Sequence, residues 1–120
     1  MDKAEESRDY KNLVVWQVAM AIVDEVYVLT EGFPTHERYA LANQMQRAAV
    51  SVASNIAEGH GRNTKLEYLH ALGVSRGSLA ELETQLIIAA RRSYMPEDHP
   101  VFASVSRCRR LIQGLMKSLR

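Results

Sequence analysis

What the chain lacks narrows it before what it contains. It has one cysteine, Cys108, so no disulfide can close within it, and this predicts a reducing compartment. Cys108 stands at helical spacing among Val105, Ile112 and Leu115, the placing of a core thiol and not of a nucleophile. No uninterrupted apolar run of about 20 residues occurs, as a membrane span requires; the nearest stretch, Leu13 to Leu29, is broken by Gln17, Asp24 and Glu25. The opening MDKAEESRDYK is charged and carries no apolar core of signal-peptide type, which predicts a cytoplasmic protein. Strand-like alternation is absent, so a sheet is not expected.

Motifs for common chemistries are missing as well. There is no G-x-x-x-x-G-K-[ST] phosphate loop, and the AEGHGRN segment is short and follows no strand. His36, His60, His70 and His99 lack the i, i+4 His pairing and the Glu-x-x-His motifs that build metal sites in helical bundles. Ser51 and Ser78 have no identifiable base. The expectation is no catalytic residue, no cofactor and no metal.

What is present is helical periodicity. The stretch QMQRAAVSVASNIAEG, Gln44 to Gly59, is almost wholly small, aliphatic or short and polar, and so is suited to close helix packing. On a wheel of 100° per residue, Leu41, Met45, Ala48, Ala49, Val52 and Ile56 share one side, and Ala42, Val50, Ala53 and Ala57 extend it. That arc is about twice the ~100° stripe that one buried face needs, which predicts a second covering surface, a further copy of the chain.

At 120 residues and 47% hydrophobic, the chain is expected to form one domain with a core of its own. Residues 1 to 10 are polar and expected to fray. Asn12 is placed to cap a first helix over about 13–30, with Val15, Ala19, Ile22, Val26 and Leu29 on one stripe and Trp16, Met20, Val23 and Tyr27 on the next. Gly32 and Pro34 stop it, and Thr35 is placed to cap a second helix over 36–58, ended by Gly59 and Gly61. Thr64 and Glu67 have capping-box spacing at the start of a third helix, 64–93. Its core seam is Leu72, Ser75, Leu79, Leu82, Leu86 and Ala89. A separate stripe holds Gly73, Gly77, Ala80 and Thr84; each glycine costs about 1 kcal/mol against alanine within a helix, which predicts close contact with another helix there. A turn over Pro96 to Pro100, with Glu97 and Asp98 suited to the next helix dipole, leads to a fourth helix over 99–119. Val101, Val105, Cys108, Ile112, Leu115 and Leu119 form its seam. The predicted fold is all-α, an antiparallel up-down-up-down four-helix bundle.

Two constellations are candidates for function. Gln44, Arg47, Ser51, Asn55 and Glu58 form a polar strip along the second helix, which either binds a partner or cavity ligand or makes an intersubunit hydrogen-bond network. An enzyme built on it would need Asn55 and Glu58 to line an open pocket. Arg62, Lys65, Arg91, Arg92, Arg107, Arg109 and Arg110 form a basic set, either a phosphate-binding surface without sequence preference or a solvated face. Aromatic platforms for stacking single-stranded bases are not interleaved with it. The net charge of +1 conceals a split: residues 1–60 hold five basic and nine acidic side chains, residues 61–120 ten and five, or about −4 and +5. That split suits nucleic acid, or attraction within and between chains.

Several segments carry a resemblance. LVVWQ at Leu13 to Gln17, Val26-Tyr27, Phe33-Pro34, ERYALANQMQRAAVSVASNIAEG at Glu37 to Gly59, and GSLAELETQL at Gly77 to Leu86 resemble the four-helix-bundle proteins of the 23S rRNA intervening-sequence family. The resemblance implies a bacterial cytosolic bundle that assembles as a ring-shaped homopentamer and has no established enzymatic activity. Some similar proteins are encoded within 23S rRNA genes; a related group, accessory proteins of diversity-generating retroelements, bind nucleic acid and a reverse transcriptase. The implied partners are other copies of the chain, RNA or DNA, and a nucleic-acid-processing protein. The alternative is a protein-interaction scaffold that binds no nucleic acid. This chain departs from the basic accessory proteins in being nearly neutral.

Overall fold

Four α-helices follow one another in the computed structural model, which describes residues 9–120: α1 Val14–Glu31, α2 Leu41–His60, α3 Lys65–Arg91 and α4 Val101–Ser118. Short 3-10 turns at Tyr10–Asn12 and Thr35–Glu37 precede α1 and α2, and no strand occurs among the described residues. The expected fraying of residues 1–10 falls mostly on residues outside those described; the Tyr10 ring packs edge-on against Trp16 at 5.4 Å.

Each boundary has a local cause. Asn12 does not cap α1: it closes the 3-10 turn, and Leu13 takes the cap position without a side-chain bond. Gln17 instead reaches back, its Nε2 donating to the Lys11 carbonyl at 2.9 Å. The second helix starts at Leu41 and not at His36, and Thr35 opens a 3-10 turn instead of capping the helix. That turn is held from across the molecule, because the Tyr94 hydroxyl donates to Glu37 Oε2 at 2.9 Å and the Tyr94 ring lies 5.3 Å from Phe33.

Gly59 lies inside α2, buried, and the helix ends at His60 with Gly61 as its cap. A Cβ on Gly59 would lie 2.8 Å from Ala71 Cβ and 2.9 Å from Tyr68 Cδ1, so glycine is there for close approach and not for a stop. Thr64 caps α3 as expected, its Oγ1 accepting from the Glu67 N–H at 3.1 Å.

Beyond the α3 cap residue Arg92, Ser93 adopts φ 61°, the left-handed region. The N–H of Tyr94 bonds the Ala89 carbonyl at 2.9 Å and that of Ser93 bonds Ala90 at 3.0 Å, a Schellman arrangement made with serine where glycine is usual. The fourth helix begins at Val101, with Pro100 as its cap residue and no acidic residue in its first turn. His99 does the capping, its Nδ1 accepting from the Val101 N–H at 3.0 Å.

The four helices enclose one core. The stripes read from periodicity are inside: Ile22, Met45, Ile56, Leu72, Leu82, Leu86, Val105 and Ile112 are essentially inaccessible, at about 1.5–3 kcal/mol of burial each. Cys108 is buried among them, and Met116 takes an inner place with Leu115 and Leu119 half-exposed. Packing is most extensive between α2 and α3; α1 lies against α2 and α4, and α4 against α3. Contacts from Gly59 to Ala71, Val52 to Ser75 and Ser51 to Ser78 run in opposite chain directions, so α2 and α3 are antiparallel. The molecule measures 47 × 28 × 25 Å.

Candidate functional site

Small residues bring α2 and α3 together closely enough for serines to meet. Ser75, wholly buried, donates to the Val52 carbonyl at 2.6 Å, and the Ser51 and Ser78 hydroxyls stand 2.8 Å apart. Asn55 Nδ2 donates to both the Ser51 carbonyl, at 2.9 Å, and Ser51 Oγ, at 3.1 Å. These bonds leave Asn55 Oδ1 as an acceptor.

The polar strip therefore follows the seam between α2 and α3. Its first part, Gln44, Arg47 and Ser51, lines a groove of about 380 Å³ with Tyr39, Asn43, Ala48, Ser78 and Glu81. Its second part, Asn55 and Glu58, lines another of about 490 Å³ with Arg62, Leu66, Glu67, His70, Ala71 and Val74. Asn55 and Glu58 thus border open space, the geometry an enzyme would need. Ser51 is bonded to an amide and a hydroxyl, with no base on it, and Glu58 pairs with Arg62. Burial raises the Tyr68 phenol above its ordinary pKa, away from acid–base use near neutrality. Among the described residues no group of three His, Cys, Asp or Glu side chains is placed to hold a metal ion.

Gly73 and Gly77 do not join this seam. A Cβ on either would meet nothing within 4 Å, so the close contact expected for them is not made inside the chain. Their side of α3 is open and apolar, with Leu66 78% exposed and Val74, Ile87 and Ile88 also exposed. Sequence reasoning missed Ser78, Glu81 and His70 as companions of the strip, because only the register of α3 against α2 puts them there.

The seven basic residues do not form one surface. Lys65 and Arg91 stand at opposite ends of α3, about 39 Å apart at 1.5 Å per residue. Arg62 lies beside Lys65 and is held by Glu58, whose hydrogen bond and charge raise the guanidinium pKa further. Arg91 and Arg92 are exposed at the far end. Arg109 turns toward α3, with Nη2 2.6 Å from Glu83 Oε2, a charge contact without directed hydrogen-bond geometry.

Arg107 and Arg110 remain exposed on α4, and Lys117 continues the same outward stripe two turns on. No acidic residue occurs from Val101 to Arg120, and no described carboxylate pairs with these three. Lys117 was outside the basic set read from the sequence; its i+7 spacing from Arg110 was the available signal.

One apolar core enclosed by four helices, an open α2–α3 seam and a basic outer helix place the protein in the class of four-helix bundles. Residues 11–114 match the 23S rRNA-intervening sequence protein family, and the chain belongs to that family. A similar solved structure is the crystal structure of a protein of unknown function from the S23 ribosomal protein family of Bacteroides thetaiotaomicron. It has a TM-score of 0.80 at 16% identity, with 87% of this chain and 96% of that one covered. No curated protein matches the chain. Among the described residues, no helix is long and apolar enough to cross a membrane.

Proposed function

We propose that the protein is a non-enzymatic homo-oligomer that binds nucleic acid through α4. The observation that carries the binding reading is the unpaired stripe of Arg107, Arg110 and Lys117 on a helix free of acidic residues. Neutralising phosphates with such side chains releases counterions, a driving force that asks for no base contact and no pocket. The rest of the earlier basic set contributes less: Arg62 and Arg109 are engaged by carboxylates, and Arg91 and Arg92 lie at one end. A cytoplasmic location is part of the same proposal.

The open α3 face supports self-association. Gly73 and Gly77 each carry a helix-propensity cost of about 1 kcal/mol with nothing in the chain to offset it, and exposed Val74, Ile87 and Ile88 flank them. The family resemblance supplies the expected number, five. A ring would repeat the α4 stripe around its surface and raise avidity without new contacts. The same face favours the second reading, a protein scaffold without nucleic acid, whose partner is a nucleic-acid-processing protein.

The test is binding of nuclease-treated protein to structured RNA and DNA across a salt series, with mass from light scattering. Affinity that falls steeply with salt, and is lost in Arg107→Glu/Arg110→Glu at unchanged mass, is the expected result. No binding at low salt overturns it in favour of the scaffold. Arg109 is left unchanged because its reversal would set a carboxylate against Glu83.

A further inference from the structure

We infer that the α4 stripe recognises the phosphate backbone of a double-stranded nucleic acid, in preference to a single strand, and reads no bases. This rests on the nucleic-acid reading above and specifies its ligand. Three observations carry it.

First, α4 is not a free helix. It is flanked by α1 and α3, tied to one by Ser104 Oγ donating to Glu25 Oε1 at 3.0 Å and to the other by the Arg109–Glu83 pair. Set between two neighbours, it presents one outward stripe instead of its whole circumference, about 10–12 Å across with side chains, and so offers Arg107, Arg110 and Lys117 to phosphate ridges.

Second, the stripe offers no aromatic side chain for a base to stack on. The exposed α4 positions are Ala103, Arg107, Arg110, Gln113, Gly114, Lys117 and Ser118, and the helix's one aromatic residue, Phe102, packs against the core. Binding of single strands ordinarily relies on aromatic platforms in a basic groove, and the exposed α4 positions carry no aromatic side chain.

Third, the charges suit a rigid, dense array of phosphates. Arg107 to Lys117 spans about 15 Å of helix, along which a duplex presents about nine phosphate charges and one strand half as many. Short side chains at Ala103 and Gly114 let that surface approach the helix closely.

The experiment measures fluorescence anisotropy of the purified full chain with four labelled probes of equal length and mixed sequence: duplex RNA, duplex DNA and the corresponding single strands. Each is titrated from 50 to 200 mM salt. Both duplexes should bind tighter than either single strand, with little dependence on duplex sequence. The variant Arg107→Gln/Arg110→Gln/Lys117→Gln should flatten the duplex salt dependence. At about 0.9 in logarithmic slope per phosphate contact, the variant should escape roughly a 40-fold salt-induced loss per engaged copy. Circular dichroism and light scattering establish that it keeps its fold and mass. Equal or tighter single-strand binding overturns the duplex assignment while leaving nucleic-acid binding in place. Strong preference for one duplex sequence overturns the backbone-only reading, and no binding to any probe overturns both.

Discussion

A Cβ built on Gly59 would fall 2.8 Å from the Cβ of Ala71, closer than two such atoms approach in folded proteins. Gly73 and Gly77, on α3, meet nothing within 4 Å. Among the helical glycines, Gly59 is therefore required by the chain's own packing, whereas Gly73 and Gly77, like Gly114 on α4, carry a cost that the isolated chain leaves without compensation.

Gly59→Ala should destabilise the fold: overpacking costs about 1–3 kcal/mol, against a gain of about 1 kcal/mol in helix propensity. Gly73→Ala and Gly77→Ala should each stabilise an isolated chain by about 1 kcal/mol in urea unfolding. If their face seats another copy, the same substitutions lower the mass seen by light scattering. A destabilised monomer in either variant would contradict the open geometry.

Ser93 occupies the left-handed position after α3, where a Cβ costs about 1–2 kcal/mol. Ser93→Gly should raise stability by about 0.5–1 kcal/mol, since glycine's looser unfolded chain takes back part of the relief. A β-branched replacement, Ser93→Val, should lower it. Thermal unfolding checks both, with roughly 4 °C expected per kcal/mol for a domain of this size.

The Ser51–Ser78 pair sits half-buried at the seam. Ser51→Ala and Ser78→Ala should each cost about 1 kcal/mol. The double variant should cost less than their sum by about 0.5 kcal/mol or more, because the first substitution already removes the shared bond. Strict additivity in a urea double-mutant cycle would mean that the two hydroxyls do not interact.

Burial pushes the Cys108 thiol up to about 11, with nearby Arg109 opposing the shift. The native state therefore holds this proton more tightly than the unfolded chain, whose thiol titrates near 8.5. Stability from this group is full below that value and lost as pH rises toward 11. Urea midpoints at pH 7.5 and 10.5 should differ less in Cys108→Ala than in the parent chain. A thiol reagent at pH 8 should label the parent only at the rate of unfolding.

The sequence by itself determined the helices, their buried stripes and the Thr64 cap, because these follow from 3.6-residue periodicity and from bonds between residues three or four apart. It also exposed the small-residue character of Gln44 to Gly59 and the arginines Arg107, Arg109 and Arg110 on α4. The start of α2 was not legible: His36 to Ala40 is helix-compatible, and the bond from Tyr94, fifty-seven residues away, helps hold a 3-10 turn instead. Gly59 reads as a stop in isolation and becomes a packing residue only when Ala71 and Tyr68 arrive.

The candidate site divides in the same way. Gln44, Arg47, Ser51, Asn55 and Glu58 were aligned by helical spacing alone, but tertiary register decided that they border grooves and that Ser78, Glu81 and His70 share them. The basic set was chosen by charge, and the bundle dispersed it along a 27-residue helix and neutralised two of its members. Side-chain spacing along one helix is a local property written in sequence; which helix lies alongside, and which charges meet, depends on the packing of the whole core.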